Sequence, residues 1–105
     1  RAVLLKGGHL AGDTVTDLLQ VAGAEPLWMH APRIHTANTH GTGCTLSSAI
    51  AAHLGLGLTL ADAVQQAREF VRAALKAGAS VRTGQGSGPL NHGFAPLPMR
   101  LVANV

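Results

Sequence analysis

Asn38-Thr39-His40-Gly41-Thr42-Gly43-Cys44-Thr45-Leu46-Ser47 is the stretch from which fold and chemistry are both read. Two glycines at a spacing of two let the backbone curl so that successive N–H groups point into one concavity. Behind them Leu46, Ala49, Ile50 and Leu54 fall on one face, which predicts a helix over Thr45–Leu54 with Gly55 and Gly57 as stop signals. A helix that starts at such a turn adds its own free N–H groups and the positive end of its dipole, so the whole is a candidate anion cradle. It is not a P-loop, because no Gly-Lys-Ser/Thr follows the glycines, and it is not a dinucleotide fingerprint, because the third glycine is missing. An ordinary tight turn into a helix uses the same residue types. Cys44 sits in the first helical turn, where the dipole favours a thiolate, which makes it a candidate base or nucleophile as well as a candidate small core residue.

On the carboxyl side, Thr59 is a candidate N-cap with Asp62 three residues on. Leu60, Ala63, Val64, Ala67, Phe70, Val71, Ala74 and Leu75 then recur at helical spacing until Gly78. Residues 80–92 read as a glycine-rich loop, and the segment from Phe94 carries Pro96 and Pro98 without clear periodicity. On the amino side, Ala2-Val3-Leu4-Leu5 is a continuous apolar run, the pattern of a strand buried on both faces in a parallel sheet. It ends on Lys6-Gly7-Gly8. Thr14 to Val21 fits a strand or a helical turn, and Pro26 to His30, after the turn signal at Gly23, fits a strand stopped by Pro32; the stretch is read as a strand pair. Trp28 and Met29 are expected in the core.

The chain has 105 residues, 47% hydrophobic and 12% charged, which sets it outside disordered compositions and limits it to one domain. No apolar run approaches the roughly 20 residues that span a bilayer, and Arg1 to Lys6 lack the apolar stretch of a signal peptide, so no membrane role and a cytoplasmic location are expected. A single cysteine builds neither an internal disulfide nor a multi-cysteine zinc site. The pI near 10 rests on two lysines and six arginines scattered along the chain, with 3% aromatic residues and no tyrosine. Without a basic cluster or a stacking platform, no nucleic-acid partner is expected. The opening on Arg1, running straight into a strand, reads as a fragment or a cut domain.

Lys6-Gly7-Gly8-His9, Ala31-Pro32-Arg33, the string from Asn38 to Ser47, and Gly86-x-Gly88-Pro89 with His92 together resemble the carboxyl-terminal part of the hydroxymethylpyrimidine/phosphomethylpyrimidine kinases of thiamine biosynthesis, a branch of the ribokinase-like kinases. The likeness runs in order from about Lys6 to about His92. It implies an α/β fold, the carboxyl-terminal portion of a three-layer α/β/α domain with few strands and two main helices, residues 1–105 forming part of one such domain. It also implies ATP and Mg²⁺ as cofactors and a small pyrimidine as substrate, with a homodimer as one state open to the complete protein. In this family's relatives a Gly-x-Gly-Asp turn forms the anion hole and its Asp takes the proton of the substrate hydroxyl. Here Cys44 holds that last position, so the resemblance assigns it as the base, with Gly41, Thr42 and Gly43 completing the hole. By the same likeness Lys6 contacts the ATP phosphates, and His9, Asn38, His40, Gly86 and Gly88 belong to the nucleotide side. Arg33 and Asn38 are expected to position the incoming loop. No protein metal ligand is nominated.

Three other functional classes remain open from the residues. A pyridoxal-type vitamin kinase shares the fold. The chain alone is expected to be inactive, because the amino-terminal half of such kinases supplies most of the substrate pocket. A cysteine-nucleophile hydrolase would use His40 as base to Cys44, and would need a third group to orient the imidazole and an oxyanion hole for a carbonyl.

Overall fold

The computed structural model describes residues 1–8, 12–80 and 88–93. They form two compact units, Arg1–Arg33 and a second that begins at Ile34.

The first unit is a three-stranded sheet of order β1-β2-β3, with β1 at Ala2–Leu5, β2 at Thr14–Val21 and β3 at Leu27–Pro32. Both pairings are antiparallel: Leu5 faces Leu18 in the first, and Leu18 faces Trp28 in the second. The β2–β3 pair expected from the sequence is present. The parallel, doubly buried setting expected for Ala2–Leu5 is corrected on both counts, since three of its four residues are exposed. The link from β1 to β2 is shorter than the dozen or more residues that a parallel crossover needs, so these two strands can only turn back on one another. Period-two alternation sorts the side chains. Leu19 and Met29 are buried on one face, while Val3, Leu5 and Trp28 stand on the other, and Trp28 is 58% exposed rather than a core residue.

The second unit is a helix pair, α1 at Thr42–Gly55 and α2 at Leu60–Gly78, packed against one another. Helix α1 starts three residues earlier than its apolar spacing predicts. It stops as expected, with Gly57 in the left-handed region at φ 96 just past its end. Thr59 caps α2, its hydroxyl accepting from the Asp62 N–H at 3.2 Å. The buried face of α2 is narrow and built of small residues: Ala63, Val64, Ala67, Val71 and Ala74. With no long side chains between them, the helices can approach closely.

A short return segment, residues 88–93, is stitched to both ends of this unit. The Asn91 N–H donates to the Ala74 carbonyl at 3.1 Å, and the His40 N–H donates to the Gly88 carbonyl at 2.9 Å. His40 and Pro89 form a parallel bridge. A Cβ at Gly78 would lie 3.0 Å from the Asn91 nitrogen, so any larger residue there would press on this segment.

Candidate active site

Gly41 is the N-cap of α1, at φ 84 and ψ 7, a left-handed conformation that a glycine adopts at little cost. The helix has no side-chain cap. Thr42 instead braces the turn from outside: its hydroxyl donates to the Thr39 carbonyl at 2.6 Å and its N–H to the same oxygen at 3.3 Å. The Thr45 N–H then closes the first helical turn on the Gly41 carbonyl at 2.8 Å. Among the described residues, the N–H groups of Gly41, Gly43 and Cys44 have no hydrogen-bond partner. A helix N-terminus ordinarily satisfies such donors with a side chain or solvent, and here no capping side chain takes them.

Cys44 is exposed. Its side chain opens onto a groove of about 510 Å³ that Thr45, Ser48, His53, Phe70 and His92 also line. The His92 Nε2 and the Thr45 Oγ1 share a hydrogen bond of 2.9 Å, which fastens the return segment to the first turn of α1. No hydrogen bond joins His40 to Cys44 among the described residues. The side chain of His40 is exposed, and its backbone is committed to Gly88.

Asn38 and Gly88 are brought together, but by packing. Asn38 is 8% exposed and its Nδ2 donates to the Gly78 carbonyl at 2.6 Å. A Cβ at Gly88 would run into the amide of Asn38. The pair therefore locks the entry to the glycine turn onto the end of α2. The Asn38 Nδ2 is thereby committed to the end of α2, and a side chain at position 88 is excluded by contact with Asn38.

In the first unit Lys6 is exposed where the chain leaves β1. The Gly7 N–H donates to the Asp17 Oδ1 at 2.9 Å, and Asp17 is 7% exposed. The Arg33 guanidinium donates from Nε to the Gly12 carbonyl at 2.6 Å and from Nη1 to the Gly8 carbonyl at 2.7 Å. Arg33 thus holds the loop after β1, where the sequence suggested a role on the loop before α1. Asp17 was not singled out from the sequence. A lone carboxylate in the middle of an otherwise uncharged strand, Thr14–Val21, was the available signal. His9 and Gly86 lie outside the described residues. No cluster of three or more His, Cys, Asp or Glu side chains suited to a metal ion occurs among the described residues, and no described helix is long and apolar enough to cross a membrane.

Comparison with known proteins adds to this geometry. A family model described as phosphomethylpyrimidine kinase matches residues 1–91. The hydroxymethylpyrimidine/phosphomethylpyrimidine kinase of Streptomyces coelicolor is 50% identical over 95 residues, which cover 90% of this chain and 34% of that protein. A thiamine biosynthesis bifunctional protein of Geobacter sulfurreducens is 46% identical over 101 residues, 95% of this chain and 20% of that one. Among solved structures, the pyridoxal kinase of Staphylococcus aureus in complex with AMP-PCP and pyridoxal superposes with a TM-score of 0.81 at 32% identity, over 89% of this chain and 34% of that one. The chain thus spans about a third or less of the length of these relatives.

Proposed function

Since the chain belongs to the phosphomethylpyrimidine kinase family, with the ribokinase-like α/β fold that pyridoxal kinases share, we propose that it is the anion-hole portion of an ATP-dependent kinase. The substrate is hydroxymethylpyrimidine and then its monophosphate, on the route to thiamine diphosphate. Residues 1–105 are then the carboxyl-terminal part of a single kinase domain in a cytoplasmic enzyme. The observation that carries the reading is the start of α1: three uncommitted backbone N–H groups around Gly41, Gly43 and Cys44, with an exposed thiol in the same turn.

The chemistry follows from that arrangement. Phosphoryl transfer asks mainly for positioning and for stabilisation of charge on the phosphoryl oxygens in flight. Amides fixed by a glycine turn and a helix supply that stabilisation without reorganising. The hydroxymethyl oxygen of the substrate forms the new O–P bond to the γ-phosphorus, the bond to the bridging oxygen breaks and ADP leaves. The hydroxyl proton passes to the Cys44 sulfur. Lys6 contacts the nucleotide phosphates as a mobile positive charge on a fixed backbone. Mg²⁺ accompanies ATP in this reading, an ion that readily keeps water and phosphate ligands.

A pyridoxal-type kinase is the second reading, favoured by the structural likeness to pyridoxal kinases. The higher identity to pyrimidine kinases favours the first. The test is a direct comparison of substrates with the complete protein. Transfer from ATP to hydroxymethylpyrimidine with a higher kcat/KM than to pyridoxal is expected. The reverse preference would replace the first reading by the second, and transfer to neither would end both.

A further inference from the structure

The way the chain leaves β1 points to two residues that set the position of Lys6 without touching a ligand themselves. The β1–β2 ladder ends with the pair Leu5–Leu18. Continued by one step, the same register would place Lys6 opposite Asp17, and by two steps Gly7 opposite Thr16. The ladder does not continue in that form. The Gly7 N–H turns to the side chain of Asp17, while the Gly7 Cα lies so close to the Thr16 carbonyl oxygen that any Cβ would collide with it. Lys6 is therefore held between a ladder pair on one side and a side-chain-anchored amide on the other. One residue further on, the Gly8 carbonyl is taken by Arg33, which also takes the Gly12 carbonyl and donates its own N–H to the Asp13 carbonyl at 2.7 Å. Both ends of the loop after Lys6 are thereby tied to one planar guanidinium, a geometry that a lysine ammonium does not reproduce.

We propose that Asp17 and Arg33 are positioning residues for Lys6. They fix the backbone on either side of it, so that a flexible four-carbon side chain departs from a defined point. The inference rests on the kinase reading above, in which Lys6 meets the nucleotide phosphates. Two features separate this role from general support of the fold. The Asp17 and Arg33 side chains bond Gly7 and Gly8, the two residues directly after Lys6. Asp17 also places a buried carboxylate on the Gly7 amide at a strand exit, where a ladder carbonyl would have served the sheet alone.

The test is a mutant cycle in the complete protein, measuring KM for ATP and kcat with hydroxymethylpyrimidine, together with thermal unfolding. Lys6→Ala, Asp17→Ala and Arg33→Lys are each expected to raise KM for ATP by about tenfold, the size of one ordinary charge contact, with a smaller effect on kcat. The double variant Lys6→Ala/Asp17→Ala should be no worse than Lys6→Ala alone, because Asp17 acts through Lys6. Asp17→Asn, which keeps an oxygen to accept from Gly7, should recover most of the loss. Should Asp17→Ala fail to fold, the cycle of Lys6→Ala with Arg33→Lys carries the same expectation. Multiplicative losses in the double variants would overturn the inference, as would wild-type KM values in both Asp17→Ala and Arg33→Lys. An unchanged KM in Lys6→Ala would remove Lys6 from the nucleotide site and this inference with it, leaving phosphoryl transfer in place. A wild-type protein unable to transfer phosphate from ATP would overturn the kinase reading first.

Discussion

Gly88 and Asn38 show how a glycine near the turn before α1 can be demanded by packing. The amide of Asn38 fills the space where a Cβ of residue 88 would stand, and its nitrogen caps the last free carbonyl region of α2 at Gly78. Gly88→Ala is expected to destabilise the protein by about 1–3 kcal/mol, the usual cost of forcing an atom into a filled site. Asn38→Ala leaves a buried carbonyl without its donor and should cost about 1–3 kcal/mol as well. Because both changes act on one contact, they should not add. Gly88→Ala in an Asn38→Ala background should be nearly neutral by urea unfolding, and full additivity would show that the clash lies elsewhere. The bond from Asn38 to Gly78 is not legible from sequence, since the two are forty positions apart and nothing in local spacing links them. The same holds for Asp17 and Gly7, joined across a strand exit. What could be read was the local chemistry: a glycine turn, a helix start and a thiol within four residues.

At the scale of elements, helices were the more legible. Helix α2 carries its own punctuation, Thr59 at the start and Gly78 at the end, and its apolar positions recur at 3.6 residues. Thr59→Ala should cost about 1 kcal/mol in unfolding free energy, and no measurable loss would mean that the Asp62 N–H finds another acceptor. Helix α1 begins before its apolar stripe does, because its first turn is made by a left-handed Gly41 and a bracing Thr42, not by hydrophobic spacing. The proposed anion hole lies in that difference. ATP, but not the pyrimidine alone, is expected to slow alkylation of Cys44 by iodoacetamide in the complete protein, since the phosphates occupy the turn that holds the thiol. Equal rates with and without ATP would argue against an anion hole at this turn. Strand β1 was misread because a continuous apolar run looks alike in a buried parallel strand and in the edge strand of a small antiparallel sheet. The short link to β2, too few residues for a parallel crossover between the two strands, accounts for their antiparallel pairing.

For the whole molecule, composition set bounds and little more. A pI near 10 corresponds to no basic cluster, whereas the glycines at 7, 41, 78 and 88 each answer to a turn or a close approach. The chain corresponds to about a third of its pyrimidine kinase relative from Streptomyces coelicolor. The 105-residue chain by itself is expected to phosphorylate neither hydroxymethylpyrimidine nor pyridoxal at a rate above background. Activity from this chain alone would show that it carries a complete substrate site. In the complete protein, the most direct measurement is the rate of ATP-dependent phosphorylation of hydroxymethylpyrimidine by the Cys44→Ala variant, with ATP affinity measured in parallel. A loss of about 10²–10⁴ in kcat, the range for removing a general base, with ATP affinity nearly unchanged, is the result expected if the Cys44 sulfur takes the proton. Wild-type turnover in Cys44→Ala would contradict it.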